Sequence, residues 1–276
     1  NAAVTIEPGV RIEMRPGARI LITANGSLNA TGTPTNKIEF FGAQDVAGYW
    51  YNIEINSNNP NNKLIHCNIS NGSSYYGSEP GMVIVANNAQ LTVQNSTFSK
   101  GSEHGLMAKG LAKLPDFYSN YFSGFEKAPI RLASLQQAGF LDNSTTFGSN
   151  QVQSIYVYGA AVEGNTSIPD MGIPYSVRDH INFSGGHTTV QSGVDIEMAA
   201  NIRLNVQANA SLEFAGTASN PCSVSGEVNA KGYWYNITYS SNNPANIISY
   251  TNISDGRNYY GSDAGLLRLS GSASVS

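Results

Sequence analysis

Charge is what this chain has least of. Only 12% of its 276 residues are Asp, Glu, Lys or Arg, about half the share of an ordinary globular protein. Helix surfaces are furnished by Lys, Glu and Ala, so a helical bundle is disfavoured from the start. The net charge is −4 and the isoelectric point about 5.5, with no cluster of Lys and Arg. That excludes a surface able to neutralise several phosphates, and nucleic acid with it. No apolar run approaches the roughly 18 residues of a membrane-crossing helix, so the chain is not expected to span a membrane. The two cysteines, Cys67 and Cys222, fit no zinc or redox spacing. The four histidines, His66, His104, His180 and His187, are scattered. No cofactor is implied by either set.

Polarity comes instead from Asn, Ser, Thr, Gly and Tyr, a mixture that suits strands joined by tight turns. It also carries a long repeat. "GYWYNI" stands at Gly48–Ile53 and again at Gly232–Ile237, an offset of 184. The same offset aligns "VRIEM" (Val10–Met14) with "VDIEM" (Val194–Met198). It also aligns "SNNP" at Ser57 with Ser241, and "YYGS" at Tyr75 with Tyr259. About 36 of the 92 overlapping positions are identical without a gap, far above chance, so the chain is internally duplicated. Residues 1–184 form a full unit and 185–276 a partial second one. Since it starts and stops in mid-repeat, the chain is expected to be part of a longer array.

Within each unit the signal is of short alternating strands, among them "RILIT", "KIEFF", "YNIEI", "MVIVA" and "IYVYG". Turn sequences such as "EPG", "ANGS", "NNPNN" and "SNGSS" separate them. Residues 103–114 come nearest to a helical period, and two glycines weaken even these. A sandwich does not account for the ungapped offset. A propeller requires a four-fold similarity inside the full unit, and that is absent. A parallel β-helix allows coils of unequal length while the strands stay in register. The predicted fold is therefore all-β, a right-handed parallel β-helix of about 11–12 coils running through residues 1–276. In that fold Cys67 and Cys222 lie about six coils apart, roughly 30 Å at ~4.8 Å per coil, too far for a disulfide.

The run Val4–Ser70, with "TIEPGVRI", "GSLNATGT" and "GYW", resembles secreted bacterial proteins built of right-handed parallel β-helix repeats. So do "LDNSTTF…IYVYGAAV" (Leu141–Val162) and "GIPYSVRDHINFSGGHTTV" (Gly172–Val190). The second copy departs in having Gln191-Ser192 where the first has Glu7-Pro8. The resemblance implies the fold and a secreted or cell-surface location. It carries no particular reaction.

Two readings of the aromatic segments follow. Tyr49, Trp50 and Tyr51, with Tyr233, Trp234 and Tyr235, supply flat faces on which pyranose rings can stack. Alternatively the hexamer is a corner, its Gly making the bend and its Trp covering the strand edge, and its recurrence at one phase of the repeat favours the corner. Tyr75 and Tyr76, and Tyr259 and Tyr260, form a second pair of candidates in protruding loops. The acids Glu79 and Asp263 beside them are the weak candidates for a calcium ion, which requires six or more oxygens. The best catalytic candidates are Glu39, Glu54 and His66, each outward if Ile38, Ile53 and Cys67 point inward. Their counterparts in the second copy are Ser223, Thr238 and Tyr250, so the trio is not a repeated feature. About eleven Asn-x-Ser/Thr triplets read as a by-product of Asn- and Ser-rich turns.

The expectation is a non-catalytic extracellular module, structural or adhesive, with polysaccharide or another cell-surface component as partner. A polysaccharide lyase or glycoside hydrolase, and a passive surface spacer, are the alternatives. The sequence gives no oligomeric state.

Overall fold

In the computed structural model the chain is all-β, with parallel coils stacked as a β-solenoid of about ten turns. This is slightly fewer than the 11–12 expected. The structure describes residues 2–73, 80–159, 161–257 and 265–276. They divide into two compact units, one of Asn1–Leu132 with Phe140–Ser154, the other of Ala133–Gly139 with Ile155–Ser276. This division falls ahead of the offset of 184 at which the sequence repeats.

Three parallel sheets build the first unit. One stacks Ala3–Ile6, Ser27–Thr31, Lys63–Ile65, Thr92–Gln94 and Phe117–Tyr118. The next stacks Arg11–Met14, Ile38–Gly42, Cys67–Ser70, Thr97–Gly101, Tyr121–Phe125 and Thr146–Phe147. The third contains Ile20–Ile22, Ile53–Ile55, Gly81–Val85, His104–Ala108 and Ile130–Leu132. Each coil thus visits the sheets in turn before the chain returns one level on.

Alternation decides which side chains go inside. In Ile38–Gly42 residues Ile38, Phe40 and Gly42 are buried while Glu39 and Phe41 are half-exposed. Because every level is in register, like meets like. Phe40, Ile69, Phe98 and Phe122 form one internal file, and the rings of Phe98 and Phe122 stack at 4.5 Å and 3°. Such burial contributes roughly 1.5–3 kcal/mol per large side chain before chain entropy is subtracted. The near-helical stretch resolves into the strand His104–Ala108, whose residues are all buried. The only α-helix among the described residues is one turn, Leu135–Ala138, capped by the Ser134 hydroxyl, which accepts from the Gln136 N–H.

The bend from the first sheet to the second is made by one residue in the left-handed region. It is His66 (φ 49°), then Asn95 (φ 51°) and Ser119 (φ 54°) on successive levels. Immediately after each bend a buried polar ladder satisfies backbone donors. The Cys67 N–H donates to Ser96 Oγ (3.0 Å), and the Ser96 N–H to Asn120 Oδ1 (3.1 Å). Cys67 is sealed in this file, and burial pushes its thiol pKa up to about 12. Both cysteines are buried and free.

The second unit repeats the plan. Its sheets stack Thr166–Ile168, Gly186–Gln191, Ala210–Ala215 and Ile247–Ser249, then Ile155–Val157, Tyr175–Val177, Asp195–Met198, Cys222–Gly226 and Thr251–Ile253. A third holds Ile181–Phe183, Leu204–Val206, Ile237–Tyr239 and Leu267–Leu269. The duplicated "SNNP" loops share the same ties. Asn62 accepts from the Leu28 N–H (3.0 Å) and donates to Ser57 O (2.9 Å). Asn246 accepts from the Leu212 N–H (3.2 Å) and donates to Ser241 O (3.0 Å). Ser57 and Ser241 each donate to a carbonyl one level back, Gly26 O and Ala210 O, at 2.6 Å.

Asn62 is 1% exposed, so Asn62→Ala should leave the buried Leu28 N–H without its partner, while Ser57 O keeps the bond from the Gln90 N–H (3.1 Å). The expected loss is roughly 1–3 kcal/mol. Asn61→Ala, on the exposed neighbour, should stay within about 0.5 kcal/mol. Urea unfolding of the two variants checks this; equal midpoints would contradict it.

Candidate functional site

The repeated hexamer is a corner between the second and third sheets. Gly48 (φ 70°) and Gly232 (φ 78°) make the turn in a region that disfavours side chains. Trp50 and Trp234 are fully buried, and each indole N–H donates to a backbone carbonyl of the next level, Ser70 O (2.8 Å) and Ser254 O (2.7 Å). A Cβ on Gly72 would lie 2.8 Å from the Trp50 ring, so that glycine makes room for the indole. Backbone bonds complete the clamp. The Tyr49 N–H reaches Asn71 O (2.6 Å) on the next level, and the Tyr51 N–H reaches Ala18 O (2.9 Å) on the previous one. Tyr233 and Tyr235 do the same with Asp255 O (2.7 Å) and Ile202 O (2.8 Å).

A buried indole has no face to offer a sugar, so Trp50 and Trp234 are placed in the core rather than in a binding platform. Tyr235 is 8% exposed. Tyr49, Tyr51 and Tyr233 are half-buried at the corner. Tyr75, Tyr76, Glu79, Tyr259, Tyr260 and Asp263 lie outside the described residues.

The catalytic trio is not brought together on one face. Glu39 stands on the second sheet, where it pairs with Arg11 (2.5 Å). Glu54 stands on the third, accepting from Asn56 (2.8 Å) with Arg19 at 4.0 Å. His66 is the corner residue between the first sheet and the second, and Tyr250 (φ 38°) occupies its place in the other copy. Glu39 and Glu54 stand on different sheets of one coil, and His66 is a corner of the next.

What the structure does assemble is a shallow groove of about 490 Å³ over the outward face of the second sheet. Register sets its floor. Arg11, Glu39, Asn68 and Thr97 succeed one another on four levels, spaced at ~4.8 Å. Beside that file Phe41, Ser70 and Ser99 line the groove. Arg11 lies over the Phe41 ring, 4.9 Å from its centroid. At the edge Lys100 Nζ contacts both oxygens of Asp45 at 2.7 Å, and Asn71 Nδ2 donates to Asp45 Oδ1 at 3.0 Å. The bonds from Lys100 and Asn71, with the charge of Lys100, hold the Asp45 carboxyl below the usual carboxylate range. The second copy has Ser225 for Phe41, Asn229 for Asp45 and Asp255 for Asn71, so this groove belongs to the first copy.

A second polar cluster lies in the other unit. Tyr156, Ser176, Glu197 and Ser225 form an outward file across four strands. Glu227 accepts from Ser176 Oγ (2.5 Å) and from Arg178, and Arg178 lies over Tyr156 at 4.3 Å. Burial, then the charges of Glu227 and Asp195, raise the Glu197 pKa against the pull of Arg178. One carboxyl thus has a raised pKa while its neighbour is paired with a guanidinium. In the first copy Glu227 is replaced by Ala43. Nothing in a linear reading marks a pair so distant along the chain; "VDIEM" and "SGEV" are linked only by coil length.

A line of Ser, His and carboxylate also occurs. His187 Nδ1 is 2.8 Å from Ser211 Oγ, and Nε2 is 3.2 Å from Glu213 Oε2 and 3.0 Å from Thr189 Oγ1. Ser211 is 1% exposed, so its hydroxyl has no route to a substrate. The line ties two strands together. Among the described residues no group of His, Cys, Asp and Glu could hold a metal ion, and no helix is long and apolar enough to cross a membrane.

The Glu197 shift has a sign that can be measured. A carboxyl whose pKa rises on folding binds protons more tightly in the folded chain. Stability therefore falls as pH rises from the ordinary glutamate value of 4.5 toward the raised one. Glu197→Gln should match the wild type in acid and unfold at a higher temperature near neutral pH. Melting curves across pH check this; parallel profiles for the two proteins would contradict it.

No family model, curated protein or solved structure matches the chain.

Proposed function

We propose that the chain is a non-catalytic surface module that binds polysaccharide in the groove of the first unit. The observation that carries this is the alignment of Asn68 and Thr97 in one file and Ser70 and Ser99 beside it, around the half-exposed ring of Phe41. Amides and hydroxyls at a fixed repeat match the hydroxyls of a saccharide chain, and the strand spacing of ~4.8 Å is close to the length of one pyranose unit. The aromatic ring supplies the apolar contact that a sugar face needs. A parallel solenoid surface is rigid, so little ordering cost falls on the protein when the chain binds. Low charge and an Asn-, Ser- and Thr-rich surface suit a secreted or cell-surface setting.

A second reading is glycan cleavage. It is favoured by Glu197, whose pKa burial raises, beside Glu227 with its Arg178 partner, since carboxyls in unlike environments suit an acid and its companion. Glycoside hydrolysis uses such a pair.

Incubation with a panel of polysaccharides separates the two. Binding predicts retention with no new chain ends, and Phe41→Ala or Asn68→Ala should each weaken it about tenfold. New reducing ends that vanish in Glu197→Gln would establish cleavage instead. Undiminished retention by both groove variants would remove the groove from the account.

A further inference from the structure

Resting on the groove reading, we infer that the groove selects uncharged saccharide, because its four charged groups are already spent on one another. Arg11 is bound to Glu39 at 2.5 Å and also covers Phe41. Lys100 is bound to both oxygens of Asp45 at 2.7 Å. Two cations and two anions leave no net charge along the floor and its edge.

A polyuronate laid in the groove meets Glu39 and Asp45 while the cations that would receive its carboxylates are engaged. To recruit Lys100 it must break a pair that Asn71 also supports, since Asn71 Nδ2 holds the same Asp45 oxygen. A polycationic amino sugar meets the converse obstacle, with Arg11 and Lys100 in place beside the two carboxylates. A neutral chain asks for none of these exchanges. It needs donors and acceptors that do not titrate, and Asn68, Thr97, Ser70 and Ser99 are of that kind.

The charge balance depends on an exposed residue whose replacement does not threaten the core. The Asp45 side chain is 70% exposed. Asp45→Asn removes one anion, releases Lys100, and leaves the groove with a net positive charge.

The test uses the whole chain in affinity electrophoresis against a neutral xylan, a polygalacturonate and a chitosan, each at low and high salt. The wild type should be retarded by xylan alone, with no salt dependence. Asp45→Asn should acquire polygalacturonate binding, strengthened roughly tenfold or more over wild type at low salt and lost at high salt. Salt-sensitive retention of the wild type by polygalacturonate or chitosan would overturn the selection while leaving the groove as the binding site. Retention by none of the three would overturn both.

Discussion

Parallel pairing between successive coils is the constraint on which everything else depends. Each strand must present its donors and acceptors to the level above and below, so each coil must return to the same place at ~4.8 Å intervals. Once that holds, the inside fills itself. Ile, Val, Leu and Phe fall into files because alternation on one level is copied on the next, as in Phe40, Ile69, Phe98 and Phe122. Where the backbone bends, its donors leave the ladder and need other partners. Ser96, Asn120, Asn62 and Asn246 supply them from inside.

The "GYWYNI" corner serves the same constraint. A turn between sheets breaks the regular bonding, and the hexamer mends it in three places. Its two tyrosine N–H groups reach the levels on either side, and its indole N–H reaches a backbone carbonyl of the next level. The motif recurs because the geometry recurs. The proposed groove draws instead on outward positions, which pairing leaves free to vary. Phe41 and Asp45 of the first copy correspond to Ser225 and Asn229 in the second, while Trp50 and Trp234 are unchanged.

Much of this is legible in the sequence. Alternation, turn chemistry and the ungapped offset of 184 lead directly to a parallel solenoid, and the shared phase of the two hexamers points to a corner. Faces are harder to read. Glu39, Glu54 and His66 lie close together along the chain, yet the first two fall on different sheets of one coil and the third is a corner of the next. Arg11, Glu39, Asn68 and Thr97 are far apart in sequence and stand in one file. The steps between them depend on turn lengths, which the order of residues does not disclose. Glu197 and Glu227 are hidden from a linear reading for the same reason. His66 reads as a catalytic candidate because its left-handed backbone has no signature; its counterpart is a tyrosine.

Trp50 and Trp234 are the only tryptophans, so their fluorescence reports directly on whether the repeated hexamer is part of the core. Emission from the native chain should be blue-shifted, resistant to acrylamide quenching, and unchanged by saturating polysaccharide. Red-shifted emission that is readily quenched, or quenching by the glycan itself, would contradict the claim that stacked coils enclose both indoles.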